Sequence, residues 1–291
     1  MTRIGIIGGS GLYDMAGVAI TEERMIATPF GEPSDALRLG TLDGVAVAFL
    51  PRHGRGHRKT PSEINYRANL WALKSVGVEA VLSVSAVGSM KEAIVPGHLV
   101  FPDQFIDRTR GFRADTFFGD GLVAHVSLAD PICPLLRGLL RQTAERLDLP
   151  HHDGGTYLNI EGPQFSTRAE SHLYRTWGVS VIGMTNVTEA RLAREAELHY
   201  ATIAMSTDYD CWHASEEAVS VDAVVKTLLE NVHKAQALIR AAVPAVAASV
   251  RGTCPCPNAL DAAVMTAPDR VPPVTRERLA LLLARRDAAA A

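Results

Sequence analysis

The sequence predicts an α/β fold, and three observations support this prediction. Short runs rich in β-branched residues alternate with amphipathic helical patterns along most of the 291 residues. Several of these runs are apolar at every position, as expected for strands that are buried on both faces of a sheet. With 47% hydrophobic residues, the chain can also bury the core of one large domain or two small ones.

Six apolar runs are predicted to be strands. Each is short and is followed by residues that are typical of turns and loops. They cover residues 4–7, 45–50, 80–84, 98–101, 180–182 and 200–205. The loops after these strands are candidate binding loops, because function is often carried by loops that a rigid scaffold positions.

Capping signals mark the predicted helices. Residues 60–63 (Thr-Pro-Ser-Glu) form a capping box with proline at the first helical position, and Gly77 ends the helix that follows. A second capping box, residues 167–170, begins a helix that ends near Gly178. Ser220 is the expected N-cap of a long helix. Apolar residues follow it at core spacing: Val221, Val224, Val225, Leu228, Leu229 and Val232.

Composition divides the chain into one domain, residues 1–250, and a C-terminal tail, residues 251–291. The tail begins where Pro-Cys-Pro and Val-Pro-Pro segments appear, and it contains a short Arg- and Ala-rich helix predicted over 276–290. No internal repeat or low-complexity linker precedes residue 250.

The charge balance favours small-molecule partners and copies of the same chain. The formal net charge is −3 and the pI about 6.4, so nothing indicates a nucleic-acid or anionic-membrane partner. The N-terminus does not resemble a signal peptide, and the longest apolar stretch, residues 237–250, is interrupted by Arg240 and Pro244. A cytoplasmic protein is therefore expected.

The four cysteines do not indicate a secreted, disulfide-rich protein at this length. Cys133 and Cys211 stand alone in the sequence, whereas Cys254 and Cys256 form a close pair. The pair resembles half of a zinc site, but no second Cys or His pair lies at ligand spacing, so no metal is predicted. Two free thiols are the favoured interpretation, and a disulfide is the alternative.

Three loops carry groups that can bind an anion. Gly8-Gly9-Ser10-Gly11 follows the first strand, with backbone N–H groups and a hydroxyl. Residues 51–57 offer the planar fork of Arg52 and a donor in His53, and residues 83–89 supply small hydroxyl side chains. Each loop alone has a simpler interpretation, as a tight turn or as solvated surface. Together they predict one pocket for free phosphate at strand ends.

Two aspartates follow the last predicted strand. Asp208 and Asp210 stand at i and i+2, so their side chains point the same way if strand geometry continues. In a partly apolar pocket the carboxylates would repel each other and keep a proton more readily than a free aspartate. That property suits an acid that protonates a leaving group near neutral pH. A metal-binding or solvated acidic turn is the alternative.

Several motifs occur in a fixed order over residues 3–250. They are IIGGSGL at 6–12, TPFGEPSD at 28–35, RHG at 52–54, NYRAN at 65–69, DQFIDRT at 103–109, IEGPQFS at 160–166, MT at 184–185 and DYDCW at 208–212. These motifs closely resemble the S-methyl-5'-thioadenosine phosphorylase branch of the trimeric purine nucleoside phosphorylases. The resemblance implies a single-domain nucleoside phosphorylase fold, in which helices flank a central mixed β-sheet.

The resemblance also implies an activity and a set of site residues. The activity is phosphorolysis of S-methyl-5'-thioadenosine to adenine and 5-methylthioribose-1-phosphate by a homotrimer, with phosphate as co-substrate, no cofactor and no metal. The residues implied for phosphate are Ser10, Arg52, His53, Ser85, Ala86 and Thr185. Those implied for the nucleoside are Met184 at the ribose, Ser166, Asp208 and Asp210 at the purine, Val221 and Val224 at the alkylthio group, and His125 from a neighbouring subunit. Asp208 is the implied catalytic acid.

The sequence departs from this pattern at three positions. Serine stands at positions 10 and 85, where close relatives often carry threonine, and the hydroxyl is kept. Gly183 precedes the methionine, as in 6-oxopurine phosphorylases, where this branch often has asparagine. The nearest alternative is therefore the same reaction on 6-oxopurine nucleosides, methylthioinosine or adenosine. A hydrolase and a non-catalytic binding protein are two further classes, which phosphate dependence and adenine release would distinguish.

Overall fold

The protein is described by a computed structural model, which covers residues 2–9, 12, 15–213, 221–250 and 254–290. For residues 221–226, 289 and 290 it gives the backbone alone. Within the described residues, eleven strands form one mixed sheet and six α-helices pack around it. The predicted α/β class, with a central mixed sheet flanked by helices, is confirmed.

The elements alternate along the chain. The strands are β1 (Arg3–Gly8), β2 (Val18–Arg24), β3 (Leu37–Leu42), β4 (Val45–Pro51), β5 (Val78–Ser89), β6 (Leu99–Phe101), β7 (Gln104–Arg108), β8 (His151–Asp153), β9 (Thr156–Ile160), β10 (Val181–Gly183) and β11 (His199–Asp208). The helices are α1 (Tyr66–Ser75), α2 (Pro134–Arg146), α3 (Arg168–Thr176), α4 (Asn186–Glu195), α5 (Val221–Ser249) and α6 (Pro273–Ala290).

Strand β5 organises the sheet. It runs parallel to β1 and β11, and β1 in turn runs parallel to β4. The last residues of β5 pair antiparallel with β10. The carboxyl ends of β4, β1, β5 and β11 therefore meet at one edge, which is where open α/β sheets usually bind ligands.

All six predicted strands are present, and five further strands were missed. The missed strands are β2, β3, β7, β8 and β9. Strand β2 lies at the sheet edge beside β3 and is mostly exposed, so it contains charged residues at successive positions. Strand β8 has three residues, two of them histidine. Neither pattern resembles a buried strand.

Helix α1 begins later than the capping box at 60–63 predicts. The Glu63 carboxylate accepts from the Thr60 N–H and hydroxyl, but the Glu63 N–H donates to the Thr60 carbonyl, so these bonds close a separate turn and not a capping box. The helix starts at Tyr66 because the Asn65 side chain accepts a hydrogen bond from the Ala68 N–H at 3.1 Å. The second predicted capping box, at Thr167, is confirmed with both of its bonds.

Helix α5 packs along the apolar face that its spacing predicts, except at Leu229. Ser220 lies outside the described residues, and Leu229 is 61% exposed. The buried positions come later, at Ala235, Leu238 and Ile239. Leu228 packs against the same core, on one face with Ala235 and Ile239, so Leu229 is the exception to the predicted spacing among the residues whose side chains are described.

The C-terminal segment packs into the main core. Helix α6 lies where a helix is predicted over 276–290, and its Leu279, Leu282 and Leu283 join the same apolar cluster as the sheet. The boundary at residue 250 remains a prediction from composition. Within the described residues, no helix is long and apolar enough to cross a membrane.

Candidate active site

The carboxyl edge of the sheet brings the predicted loops together. The Arg52 N–H, just after β4, donates to the Gly8 carbonyl at the end of β1, at 3.0 Å. Gly88 in β5 pairs with Asp208 at the end of β11 and with Ile182 in β10. The loop after β10 carries Met184 and Thr185, so the phosphate loops and the aspartates share one edge.

Arg52 lies beneath this edge and is bound to Glu189. The guanidinium is 3% exposed; its Nε donates to Glu189 Oε1 at 2.6 Å, and its Nη atoms donate to Ser83 Oγ and the Val84 carbonyl. Burial opposes the charge, but the contact with Glu189 outweighs it and raises the pKa of Arg52. In this structure the fork therefore faces Glu189, Ser83 and Val84, and its contact with phosphate stays a prediction.

The His53 ring is held by a backbone carbonyl of its own loop. Its Nδ1 lies 2.8 Å from the Lys59 carbonyl, which can only accept, so Nδ1 carries the proton. Burial and the neighbouring Arg52 lower the pKa of His53 to about 4, so the ring is neutral at pH 7. The sequence-based expectation is a donor; because Nδ1 donates to the Lys59 carbonyl, Nε2 is the acceptor of this ring, and its contact with phosphate stays a prediction.

The buried neutral ring of His53 predicts a pH dependence of stability. Between pH 6.5 and about 4 the unfolded chain binds a proton that the folded protein does not, so stability is lost as the pH falls through this window. The difference amounts to about 3 kcal/mol. Chemical denaturation at several pH values should show a flatter dependence for His53→Gln than for the native chain. Exposed His233→Gln is the control, and equal slopes in the His53 variant and native chain would contradict the prediction.

Two hydroxyl residues flank the position expected for phosphate. Ser85 is 8% exposed, and its Oγ makes no hydrogen bond of acceptable geometry within the described part of the chain. Thr185 is the N-cap of α4, but its side chain does not cap the helix. Ala86, the next residue of β5 after Ser85, is exposed at the same edge. An unsatisfied buried hydroxyl beside a helix N-terminus is suited to an anion that accepts from both.

Ser85→Ala is expected to raise the KM for phosphate by about 10- to 100-fold, because a hydrogen bond to a charged group contributes about 1.5–3 kcal/mol. Initial rates with varied phosphate measure this effect. The exposed Ser127→Ala variant should keep the native KM. An unchanged phosphate KM in the Ser85 variant would show that this hydroxyl does not face the anion.

A buried arginine positions the Met184 backbone. Arg113 donates from Nη1 to the Met184 carbonyl at 2.5 Å, and its Nε donates to Glu161 Oε1 at 2.8 Å. Both side chains are almost completely buried. The backbone predicted to meet the ribose is thus held by a charged pair that the sequence reasoning did not identify.

The two aspartates are not arranged as the strand pattern predicts. Strand β11 ends at Asp208, and Asp210 has a φ of 53°, so their relation is not that of alternate strand residues. The Asp208 carboxylate accepts from the Asp210 N–H at 2.7 Å and from Thr207 Oγ1 at 2.6 Å. These bonds fix the orientation of the Asp208 carboxylate. Burial raises the pKa of Asp210.

Gly88 and Ser166 complete the surroundings of the aspartates. A side chain at Gly88 would lie 3.0 Å from Asp208 Oδ1 and 3.3 Å from Asp210 Cβ. Ser166 has a buried Oγ without a hydrogen-bond partner within the described residues, and its carbonyl accepts from Cys211 Sγ at 3.3 Å. The three residues predicted to recognise the purine therefore belong to one neighbourhood.

Four predicted site residues are not placed in the site by this structure. Ser10 lies outside the described residues, and Val221 and Val224 are described by their backbone alone, at the start of α5. His125 is exposed on a loop, where its N–H donates to the Ala263 carbonyl at 2.8 Å. Its predicted role requires a neighbouring subunit.

The structure gives a steric reason for the glycine at position 183. A Cβ at this position would overlap the hydroxyl of Tyr157, which is completely buried in β9. Burial raises the pKa of Tyr157 to about 12, so the phenol is neutral. The glycine that departs from the branch pattern is thus explained by its neighbour. No signal in a single sequence pairs these two residues.

The family described as the phosphorylase superfamily matches residues 3–244. The chain belongs to this superfamily. This phosphorylase is 55% identical over 280 residues to S-methyl-5'-thioadenosine phosphorylase of Geobacter sulfurreducens, which covers 96% of this chain and 97% of the relative. It is 54% identical to the protein of the same name from Koribacter versatilis, over 97% of this chain and 95% of the relative.

Solved structures agree with this membership in the phosphorylase superfamily. A methylthioadenosine phosphorylase from an antarctic soil metagenomic library superposes with a TM-score of 0.92 at 50% identity, covering 97% of this chain and 99% of the other. The methylthioadenosine phosphorylase of Schistosoma mansoni, solved in complex with adenine, gives 0.82 at 40% identity over 86% and 93% of the two chains. The predicted nucleoside phosphorylase fold is therefore confirmed.

Proposed function

We propose that this phosphorylase, a pentosyltransferase, cleaves S-methyl-5'-thioadenosine with inorganic phosphate and serves purine and methionine salvage. The observation that carries the proposal is the sheet edge at which the anion-binding loops and Asp208 meet. The high identity to S-methyl-5'-thioadenosine phosphorylases over nearly the whole chain supports it. The products are adenine and 5-methylthioribose-1-phosphate.

On the phosphate side, the proposed ligands surround the nucleophile. Ser85 and Thr185 donate hydroxyl hydrogen bonds, with Ser10 and the Ala86 backbone completing the cradle. His53 Nε2 accepts from a protonated phosphate oxygen, as its bond to the Lys59 carbonyl supports. The positive charge of Arg52, buried beneath the carboxyl edge of the sheet, attracts the phosphate anion. Positioning of the nucleophile accounts for much of the rate enhancement.

In the reaction, a phosphate oxygen forms a bond to C1' as the bond from C1' to N9 breaks, and the bonding electrons pass to the purine. A proton reaches N7 through Asp208, so adenine leaves neutral. The two hydrogen bonds to the Asp208 carboxylate support this role, because they hold the carboxylate in a fixed position. Ser166, Asp208 and Asp210 recognise the base.

The carboxylates are also proposed to select the base. Acceptors that face a 6-amino group favour adenine, whereas a 6-oxo group would leave oxygen opposite oxygen. Sites that hydrogen-bond a substrate group can reject analogues that lack it by about 10⁴-fold. Gly183 stands where 6-oxopurine phosphorylases also have glycine, so methylthioinosine is the second substrate to examine.

The rest of the nucleoside is assigned to residues from two subunits of a homotrimer. The Met184 backbone, held by Arg113, binds the ribose, Val221 and Val224 contact the methylthio group, and His125 comes from the neighbour. The exposure of His125 supports its availability to another chain. Analytical ultracentrifugation measures the oligomeric state; a monomer with full activity would contradict this assignment.

The proposal includes a cytoplasmic location. All four cysteines are free thiols in the structure, as is typical of proteins kept in a reducing compartment. Cell fractionation followed by an activity assay tests this location.

A substrate panel tests the proposed function. Methylthioadenosine, methylthioinosine, adenosine and inosine are compared with and without phosphate, and release of the base is followed by ultraviolet absorbance. We expect the highest kcat/KM for methylthioadenosine and no turnover without phosphate. Turnover in phosphate-free buffer would indicate a hydrolase, and preference for inosine would indicate the 6-oxopurine alternative.

A further inference from the structure

Four metal-binding side chains meet at the opposite end of β11 from Asp208. The ligand atoms of Cys133, His199, Cys254 and Cys256 all lie within 4.8 Å of one another. Cys133, His199 and Cys256 are each 1% exposed, and Cys254 is half-buried. The sequence spacing concealed this group, because three separate parts of the chain contribute to it.

The distances within the group match a tetrahedral metal site better than a disulfide. Cys133 Sγ lies 3.5 Å from Cys254 Sγ and 3.3 Å from His199 Nδ1, and the sulfurs of Cys254 and Cys256 are 3.3 Å apart. A disulfide requires about 2.0 Å. Two sulfurs bound tetrahedrally to one zinc ion, each at about 2.3 Å, lie about 3.8 Å apart.

Three of the four side chains, those of Cys133, His199 and Cys256, lie at the ends of regular elements. Cys133 is the N-cap of α2, and its N–H donates to the Tyr200 carbonyl at 2.9 Å, beside His199 at the start of β11. Cys256 begins a 3-10 turn that ends at Asn258. The side chain of Cys133 does not cap its helix, so its sulfur remains available for another ligand.

We propose that Cys133, His199, Cys254 and Cys256 form a structural Cys₃His zinc site. Three thiols release their protons to solvent when the ion binds, His199 binds through Nδ1, and no electron is transferred. The resulting site carries one net negative charge, which the N-terminus of α2 stabilises. Four protein ligands leave no open position, as in structural rather than catalytic zinc sites.

The site would fasten the C-terminal segment to the domain. Beyond Cys256, this segment pairs with the loop that carries His125: Ala124 forms a bridge with Val264, and the Val123 N–H donates to Thr266 Oγ1. Zinc would thus hold the loop in place. Only this consequence for His125 rests on the proposed function; metal binding itself does not.

Metal content and thiol reactivity test the site directly. The full chain, purified with reductant and without chelator, is expected to contain about one zinc per chain by inductively coupled plasma mass spectrometry. Replacement by Co²⁺ should give the visible absorption of tetrahedral thiolate cobalt. Removal of zinc should expose three additional reactive thiols and lower the melting temperature, and added zinc should reverse both changes.

Substitutions assign the ligands. Cys256→Ser and His199→Ala should lose the zinc, whereas His199→Cys should keep it as a Cys₄ site with a stronger sulfur-to-cobalt band. Cys211→Ser is the matched control, since Cys211 lies outside the group, and its zinc content should equal that of the native chain. Because the native chain and His199→Cys are measured as well, misfolding of one variant does not obscure the result.

Two outcomes would overturn the proposal. One is a native chain that contains no zinc and binds neither zinc nor Co²⁺ after full reduction. The other is an intact mass that shows a disulfide among these cysteines in freshly purified protein, with no metal bound after its reduction. Both outcomes are independent of phosphorolysis, so the proposed function can stand or fall separately.

Discussion

Asp208→Asn is expected to lower kcat for phosphorolysis of S-methyl-5'-thioadenosine by about 10²- to 10⁴-fold, the usual contribution of a positioned general acid. The amide cannot deliver a proton to N7. It can, however, donate to a 6-oxo group, so the preference for adenine over hypoxanthine nucleosides should fall as well. Steady-state kinetics with methylthioadenosine and methylthioinosine measure both changes.

The phosphate KM of this variant serves as an internal check, because Asp208 does not face the anion. It should stay near the native value, which separates loss of the acid from collapse of the site. Asp130→Asn, at an exposed position, is the matched control and should keep native kinetics. Unchanged adenine preference in Asp208→Asn would remove the carboxylate argument for base selection.

Glu189→Gln is expected to destabilise the protein by about 3–5 kcal/mol, because it leaves the buried Arg52 guanidinium without a carboxylate. Glu189 also accepts from Ser83 Oγ at 2.6 Å and from the Tyr200 hydroxyl at 2.9 Å, so the loss extends over several hydrogen bonds. Chemical denaturation measures the change in unfolding free energy. Because Arg52 would then move, the phosphate KM should rise more than kcat falls.

The surface pair between Arg141 and Glu145 gives a matched comparison. Its carboxylate lies in an i,i+4 ion pair that is half exposed to solvent. Glu145→Gln should change the unfolding free energy by less than about 1 kcal/mol. Equal effects from the two substitutions would show that Glu189 does not stabilise Arg52. A lower stability with an unchanged phosphate KM would limit Glu189 to a structural role.

The fold was predictable where local pattern and burial agree. Strand β1 is apolar at successive positions because both of its faces are covered, and the capping box at Thr167 is satisfied within its own helix. Strand β2 was not predictable, since its pairing with β3 at an exposed edge leaves no apolar pattern. The start of α1 depended on a choice between two caps, Thr60 and Asn65.

The loops of the candidate site were predictable from the sequence, but the buried charged residues beneath them were not. Strand-end motifs pointed to Ser85 and Asp208, because parallel strands bring such loops to one edge, whereas Thr185 was implied only by the family resemblance. Glu189 and Arg113 were missed, since a charged residue in a helix or loop is usually solvated and only tertiary structure shows their burial. The proximity of Cys133 and His199 to the pair Cys254 and Cys256 was missed for the same reason, because only tertiary structure brings them together.

The overlap between Gly183 and Tyr157 restricts how these two positions can change through mutation. Removing only the hydroxyl, by Tyr157→Phe, does not make room for a larger residue at 183, because the ring carbon Cζ would still lie 2.6 Å from a new Cβ. A lineage that exchanges the glycine must first shorten the residue at 157 further and tolerate a cavity in between. Substitutions at the two positions should therefore be inherited as a pair.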